Sequence, residues 1–162
     1  MKGRRLFVVL SIVLLASAVA SAQSVQGAWK RAEVVVKGGP EPGTNSSPQP
    51  GLMIFTKGYY SEMFVPSDEA RKDHAGTGFD YTPTDAEKVR SYDSFVANSG
   101  TYEISGSKLT THTIVAKNPN RMSEHLSTTY EFELEGDTLW LTSTRTAGGQ
   151  QIETRTKLTR LE

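Results

Sequence analysis

The chain contains no cysteine. That excludes disulfides, thiolate metal centres and the lipid attachment of a bacterial lipoprotein, and leaves stability to an ordinary packed core. Charge of one sign is lacking too, because 18 basic side chains face 18 acidic ones. A balanced chain carries no electrostatic footprint for nucleic acid or an anionic membrane surface. The apolar run LFVVLSIVLLASAV is short for a bilayer span, and nothing later in the chain is long enough to be one, so no transmembrane segment is expected. Also missing are a Gly-x-Ser-x-Gly elbow, a phosphate loop, and His-x-His or His-Glu-x-x-His spacings. No metal site, cofactor or catalytic nucleophile is therefore expected.

What is present begins with an export signal. Lys2, Arg4 and Arg5 form a basic end, the apolar run follows, and Ala20-Ser21-Ala22 is a small-residue cleavage site. Cleavage after Ala22 is expected, by a Sec-type route to the periplasm or the medium. A single domain over 23–162 remains, with 15 basic against 18 acidic side chains, a net charge of −3. About 140 residues suffice for one real core.

That segment is rich in Thr, Val, Tyr and Gly, and its alternating patterns are broken by turn residues at short intervals. This predicts an all-β, antiparallel domain with eight strands, near 26–37, 51–57, 59–66, 100–105, 108–116, 125–135, 138–145 and 151–161. Lys57-Gly58, Gly106-Ser107, Gly136-Asp137 and Gly148-Gly149 read as two-residue hairpin turns. Cross-strand partners share a face. The turns therefore pair Phe55 with Tyr60, Ile104 with Leu109, Phe132 with Leu141, Leu134 with Leu139, Leu139 with Leu158 and Leu141 with Thr156. One face collects these apolar residues with Tyr102, Tyr130 and Ile152, while Glu131, Glu133, Glu153, Arg155 and Lys157 occupy the other. A sheet with one apolar face buries it by closing, and hairpin order favours an up-and-down barrel.

Two segments interrupt the strands. GGPEPGTNSSPQPG reads as a mobile loop. Between strands 3 and 4, residues 67–99 contain one short helix, with Thr82 as N-cap, Pro83 at the first helical position, and an apolar stripe of Val89, Tyr92, Phe95 and Val96 that would cover a barrel end.

Gly27-Ala28-Trp29 opens the first of eight strands, followed in order by PGLMIFTKGYYSEMFV, SGTYEISGSKLTTHTIV and YEFELEGDTLWLTS. This series resembles the bacterial lipocalin-like domain proteins, relatives of the lipocalins within the calycin barrels, over nearly the whole exported segment. The resemblance implies a barrel with an internal cavity. It also implies that a basic residue late in the chain packs across Trp29: Arg160, which parity points inward, or Arg155 as the alternative. The Thr-Asp-Tyr loop motif of the core lipocalins is missing, since the corresponding connection is the tight Glu135-Gly136-Asp137.

If Trp29 points inward, strict alternation carries Arg31 and Glu33 inward with it, to meet Tyr60, Glu62 and Phe64. Unpaired burial of such charges is costly, so Arg31 would pair with a carboxylate or a ligand head group. The alternative is a β-bulge after Trp29 that turns the charges out and Ala32, Val34 and Val36 in. Thr111, Thr113, Thr128, Thr154 and Thr156 add hydroxyls to the inward face, or merely fill pleats. His112 points outward opposite Thr101. Trp140, expected outward opposite Glu133, either packs beneath the helix or marks a contact surface.

The expected function is uptake of a small, largely apolar or amphipathic molecule. Phe55, Phe64, Phe132, Leu139 and Leu141 would bury its body, and Arg31, Tyr60, Glu62, Tyr102 and Tyr130 would orient it. An isomerase- or cyclase-type barrel enzyme, and a packed barrel acting through its surface, are the alternatives. The enzyme alternative expects Glu62 to face the cavity with a raised pKa.

Overall fold

A computed structural model describes residues 24–162 except Thr77. The expected export segment 1–22 lies outside the described residues. The elements are β1 (Gly27–Lys37), β2 (Gly43–Asn45), β3 (Gly51–Phe55), β4 (Tyr59–Phe64), α1 (Asp85–Asp93), β5 (Val96–Ser105), β6 (Lys108–Ala116), a 3₁₀ turn (Pro119–Met122), β7 (Ser127–Glu135), β8 (Thr138–Ala147) and β9 (Gln150–Arg160). Sequential antiparallel pairing runs from β3 to β9, and β1 pairs with both β3 and β9. Eight long strands thus close an antiparallel barrel, which removes the sheet edges. No helix among the described residues is long and apolar enough to cross a membrane.

The hairpins hold the register that alternation dictates. Phe55 faces Tyr60, Ile104 faces Leu109, Leu134 faces Leu139, and Leu139 faces Leu158. The inward side chains condense at one end of the barrel into a core of Val25, Trp29, Met53, Phe55, Tyr60, Leu109, Leu139, Leu141 and Leu158. Tyr102, Tyr130, Phe132 and Leu134 pack against it. This packed end is the floor on which any cavity must rest.

Four expectations need correction. The 38–51 segment is not all loop, because Gly43–Asn45 pairs with Val34–Val36 as β2. β3 pairs with β1 only over Gly27–Lys30, so the upper edge of β1 is open until β2 satisfies its backbone groups. The helix consequently lies between the fourth and fifth strands rather than the third and fourth. Its N-cap is Thr84, not Thr82: Thr84 and Glu87 cap each other's backbone N–H groups in a capping box. Finally, the fifth strand begins at Val96, four residues before the expected start at 100, because Val96–Ser99 continues the ladder with β4.

The helix is held by polar ties rather than by an apolar stripe. Val89 and Tyr92 are exposed. Glu87 is buried and accepts from Ala75 N (2.7 Å), the Tyr81 hydroxyl (2.7 Å) and Thr84 N (2.8 Å). These donors hold its carboxyl at about 2, well below the usual range. The Lys117 ammonium donates to the carbonyls of Tyr92 and Phe95 where the helix ends.

Candidate functional site

The floor is built around Trp29, which has no exposed surface. Its indole N–H donates to Val25 O at 2.7 Å, and the Arg160 guanidinium lies 4.1 Å from its ring centroid. Arg160 also donates to Gln26 O (2.6 Å) and Ser24 O (2.9 Å), so one side chain pins the entering segment over the indole. Gly27 sits between them with φ +132°, and a Cβ there would lie 2.3 Å from the Glu162 carbonyl oxygen. Only glycine tolerates both the dihedral and the approach. Arg155 lies on the outer face instead, where its guanidinium is 4.2 Å from the Trp140 ring and 2.9 Å from the Glu133 carboxylate. Trp140 is therefore covered by Arg155 and Lys157 of its own sheet, and not by the helix.

Above the floor the first strand does half of each thing alternation allowed. A bulge falls between Arg31, opposite Leu158, and Glu33, opposite Lys157. One extra residue there, Ala32, reverses the faces. Arg31 follows Trp29 inward, Glu33 turns out beside Lys157, and Val34 and Val36 face Thr156 and Thr154. Gly51 leaves the room this needs, since a Cβ on it would crowd the Cβ atoms of Arg31 and Phe64 at 3.0 Å each. The Arg31 guanidinium lies over the Phe64 ring, 4.5 Å from its centroid.

A cavity of about 490 Å³ opens here. Arg31, Glu62, Phe64, Tyr130 and Leu141 line it. The other residues expected to line it do not. Phe55 and Tyr60 are buried in the floor, and Tyr102 and Phe132 pack against that core. Phe55 and Tyr102 meet edge to face at 5.0 Å, and the Tyr102 hydroxyl donates to Thr56 O. Phe55 and Tyr102 thus belong to the packed floor, whereas Phe132 shares a rung with the cavity-lining Leu141 but packs against the core. Of the five threonines, Thr128, Thr154 and Thr156 reach the cavity, whereas Thr111 is buried and Thr113 bonds to the Tyr60 hydroxyl.

One polar chain links floor and cavity. The Tyr60 hydroxyl bonds to Thr113 Oγ1 (3.0 Å) and donates to Asn98 Oδ1 (2.7 Å), and Asn98 Nδ2 donates to the Glu62 carboxylate (3.2 Å). Glu62 borders the cavity but is otherwise enclosed by protein. Burial raises its carboxyl above the usual range, against the opposing pull of Asn98, Arg31 and Arg121. Burial likewise raises the Tyr130 phenol, with help from the Glu62 charge. The Arg31 guanidinium is lowered by burial, which Glu62 partly offsets.

Among the polar lining residues that escaped the reading of the sequence are Asn98, Arg121 and Arg145. Arg145 was within reach, since Leu139, Leu141, Ser143 and Arg145 alternate along β8. Asn98 fell outside an expected strand. Arg121 sits in the 3₁₀ turn after β6, and no periodicity indicates where such a turn folds.

Closed strands, a packed floor beneath Trp29 and Arg160, and a hollow upper half define a cup-shaped calycin-type barrel. A family model described as a lipocalin-like domain matches residues 27–161, and the chain belongs to that family. Comparison with curated proteins gives no significant match.

Proposed function

We propose that this barrel is an exported protein that takes up a small, largely apolar or amphipathic molecule in its cavity. The observation that carries the reading is the cavity of about 490 Å³ above a packed floor, within the span of about 300–1,000 Å³ usual for small-ligand sites. Its walls combine apolar surface from Met53, Phe64, Leu141 and Leu158 with a few polar groups, Arg31, Glu62 and Tyr130 among them. Burying about 300 Å² of apolar ligand surface contributes about 7 kcal/mol before ordering costs. That figure alone corresponds to a Kd of about 10 μM before those costs, so the polar groups must offset them for micromolar binding.

The test is titration with an uncharged fluorescent probe such as N-phenyl-1-naphthylamine. Saturable 1:1 binding is expected, and Thr156→Phe, which fills the cavity from β9, should weaken it at least about ten-fold while the circular dichroism spectrum is retained. Binding that is absent, or indifferent to Thr156→Phe, defeats the proposal.

One observation favours a second reading, an isomerase or cyclase acting on an apolar substrate. Glu62 has a raised carboxyl at the cavity wall, as suits a proton-transfer group, and Asn98, itself held by the Tyr60 hydroxyl, donates to it. In that case Glu62→Gln abolishes turnover in a lipid or terpenoid substrate screen while leaving probe binding intact. The interaction-module alternative draws less support, because Trp140, its expected anchor, is covered.

A further inference from the structure

We propose that the cavity selects an amphiphile with a single anionic head group, held between the guanidinium groups of Arg31 and Arg121, while its apolar part lies against Leu141 and Leu158. This deepens the cavity-binding reading above and rests on it.

The charges bordering the cavity are unequal. Arg31, Arg121 and Arg145 face one carboxylate, Glu62. They come from β1, the 3₁₀ turn and β8, so the excess is produced by folding and not by a basic run in the sequence. Each guanidinium carries five N–H donors. Among the described residues none of Arg31's meets a protein acceptor within hydrogen-bonding distance, and its contacts are the Phe64 ring and the field of Glu62. Among the described residues the Arg121 guanidinium makes one long contact, 3.4 Å, to the Thr128 hydroxyl. The donors of the cavity thus outnumber its acceptors.

Glu62 does not close that deficit. Among the described residues no cationic nitrogen lies within 4.0 Å of its carboxylate, and Asn98 already donates to it. Yet both Arg31 and Arg121 act electrostatically on it, which locates their shared field on the Glu62 side of the cavity. The wall from β8 and β9, which adjoins Arg31 through its cross-strand partner Leu158, has a different character. Leu141 and Leu158 alternate there with the hydroxyls of Ser143, Thr154 and Thr156, and the one charge is Arg145 beyond them. A molecule with a charge at one end and hydrocarbon at the other matches this division. An anion gains charge-assisted hydrogen bonds that a neutral head group does not, and a cation meets three like charges.

The experiment compares three probes with one tail, decanoate, 1-decanol and decyltrimethylammonium, by isothermal titration calorimetry on the full chain at fixed ionic strength. Decanoate is expected to bind about ten-fold more tightly than decanol, the scale of one charge-assisted hydrogen bond, with decyltrimethylammonium weakest. Arg31→Gln and Arg121→Gln should each lower the decanoate-to-decanol ratio, weakening decanoate more than decanol. Arg121 is exposed on its turn, so Arg121→Gln decides the matter even if Arg31→Gln folds poorly. A ratio below about five, or one that Arg121→Gln leaves unaltered, overturns the selection of anions while the cavity reading stands. Failure of all three probes to bind overturns the cavity reading itself.

Discussion

Replacing Arg160 by Met removes the guanidinium but keeps most of the side chain's length over Trp29. Arg160 donates to two carbonyls, Gln26 O at 2.6 Å and Ser24 O at 2.9 Å, and its guanidinium faces the indole at 4.1 Å. The entering segment can rehydrate when released, so the two bonds count at about 1 kcal/mol each rather than at the full value for charged donors. The cation–π contact adds about 1 kcal/mol. The ion pair to Asp137, itself 86% exposed, adds nothing that survives screening. The expected loss is about 2–4 kcal/mol, or about 8–14 °C in Tm for a domain of this size. Urea unfolding followed by far-ultraviolet circular dichroism measures it, with an unchanged denaturant slope showing that the same cooperative unit unfolds. Arg155→Met is the matched control on the outer face. Arg155 carries a buried Nε without a hydrogen-bond partner, so losing its guanidinium removes a penalty together with the Glu133 contact and the cation–π contact to Trp140, and the net cost should stay below about 1 kcal/mol. If Arg160→Met costs less than about 0.5 kcal/mol, or less than Arg155→Met, Trp29 and Arg160 do not close the floor.

Three other perturbations have definite signs. Gly27→Ala sets a Cβ against the Glu162 carbonyl at a left-handed dihedral, so it should cost about 2–4 kcal/mol by urea unfolding, and a cost near zero would mean that the first rung can shift freely. Burial raises the Glu62 carboxyl, so its contribution is fully present at pH below the usual carboxylate range and is lost as pH rises through the raised value; Glu62→Gln should therefore gain on the parent with rising pH, and a constant difference in unfolding midpoint from pH 4 to 8 would refute the burial of that charge. Glu87 has the opposite sign: its stabilisation is present above the usual carboxylate range and is lost as pH falls towards about 2, so the advantage of the parent over Glu87→Gln should shrink across that window, read from the amide shifts of the helix.

Much of the barrel was legible because period-2 alternation and tight turns fix a register between them. Once Gly136-Asp137 is a two-residue turn, Phe132 must face Leu141, and one hairpin further on Leu141 must face Thr156. The cavity was legible only in part, because its height above the floor depends on which rungs aromatics fill. Phe55, Tyr60, Tyr102 and Phe132 share the inward face with Phe64 and Leu141, and alternation alone cannot separate packed floor from open wall. The bulge at Ala32 has no local signature, since Arg31-Ala32-Glu33 reads as ordinary strand, and the pairing with Leu158 and Lys157 reveals it. Thr84-x-x-Glu87, by contrast, was a readable capping box that Thr82-Pro83 obscured.

The claim that ligand enters the barrel is tested most directly by methyl chemical-shift mapping with decanoate. Shifts should move for Met53, Leu141 and Leu158, which line the cavity, and stay fixed for Ile114, Val115 and Leu126, which are exposed. Movement of the exposed set with the cavity set unmoved would place the ligand on the outer surface and contradict the account.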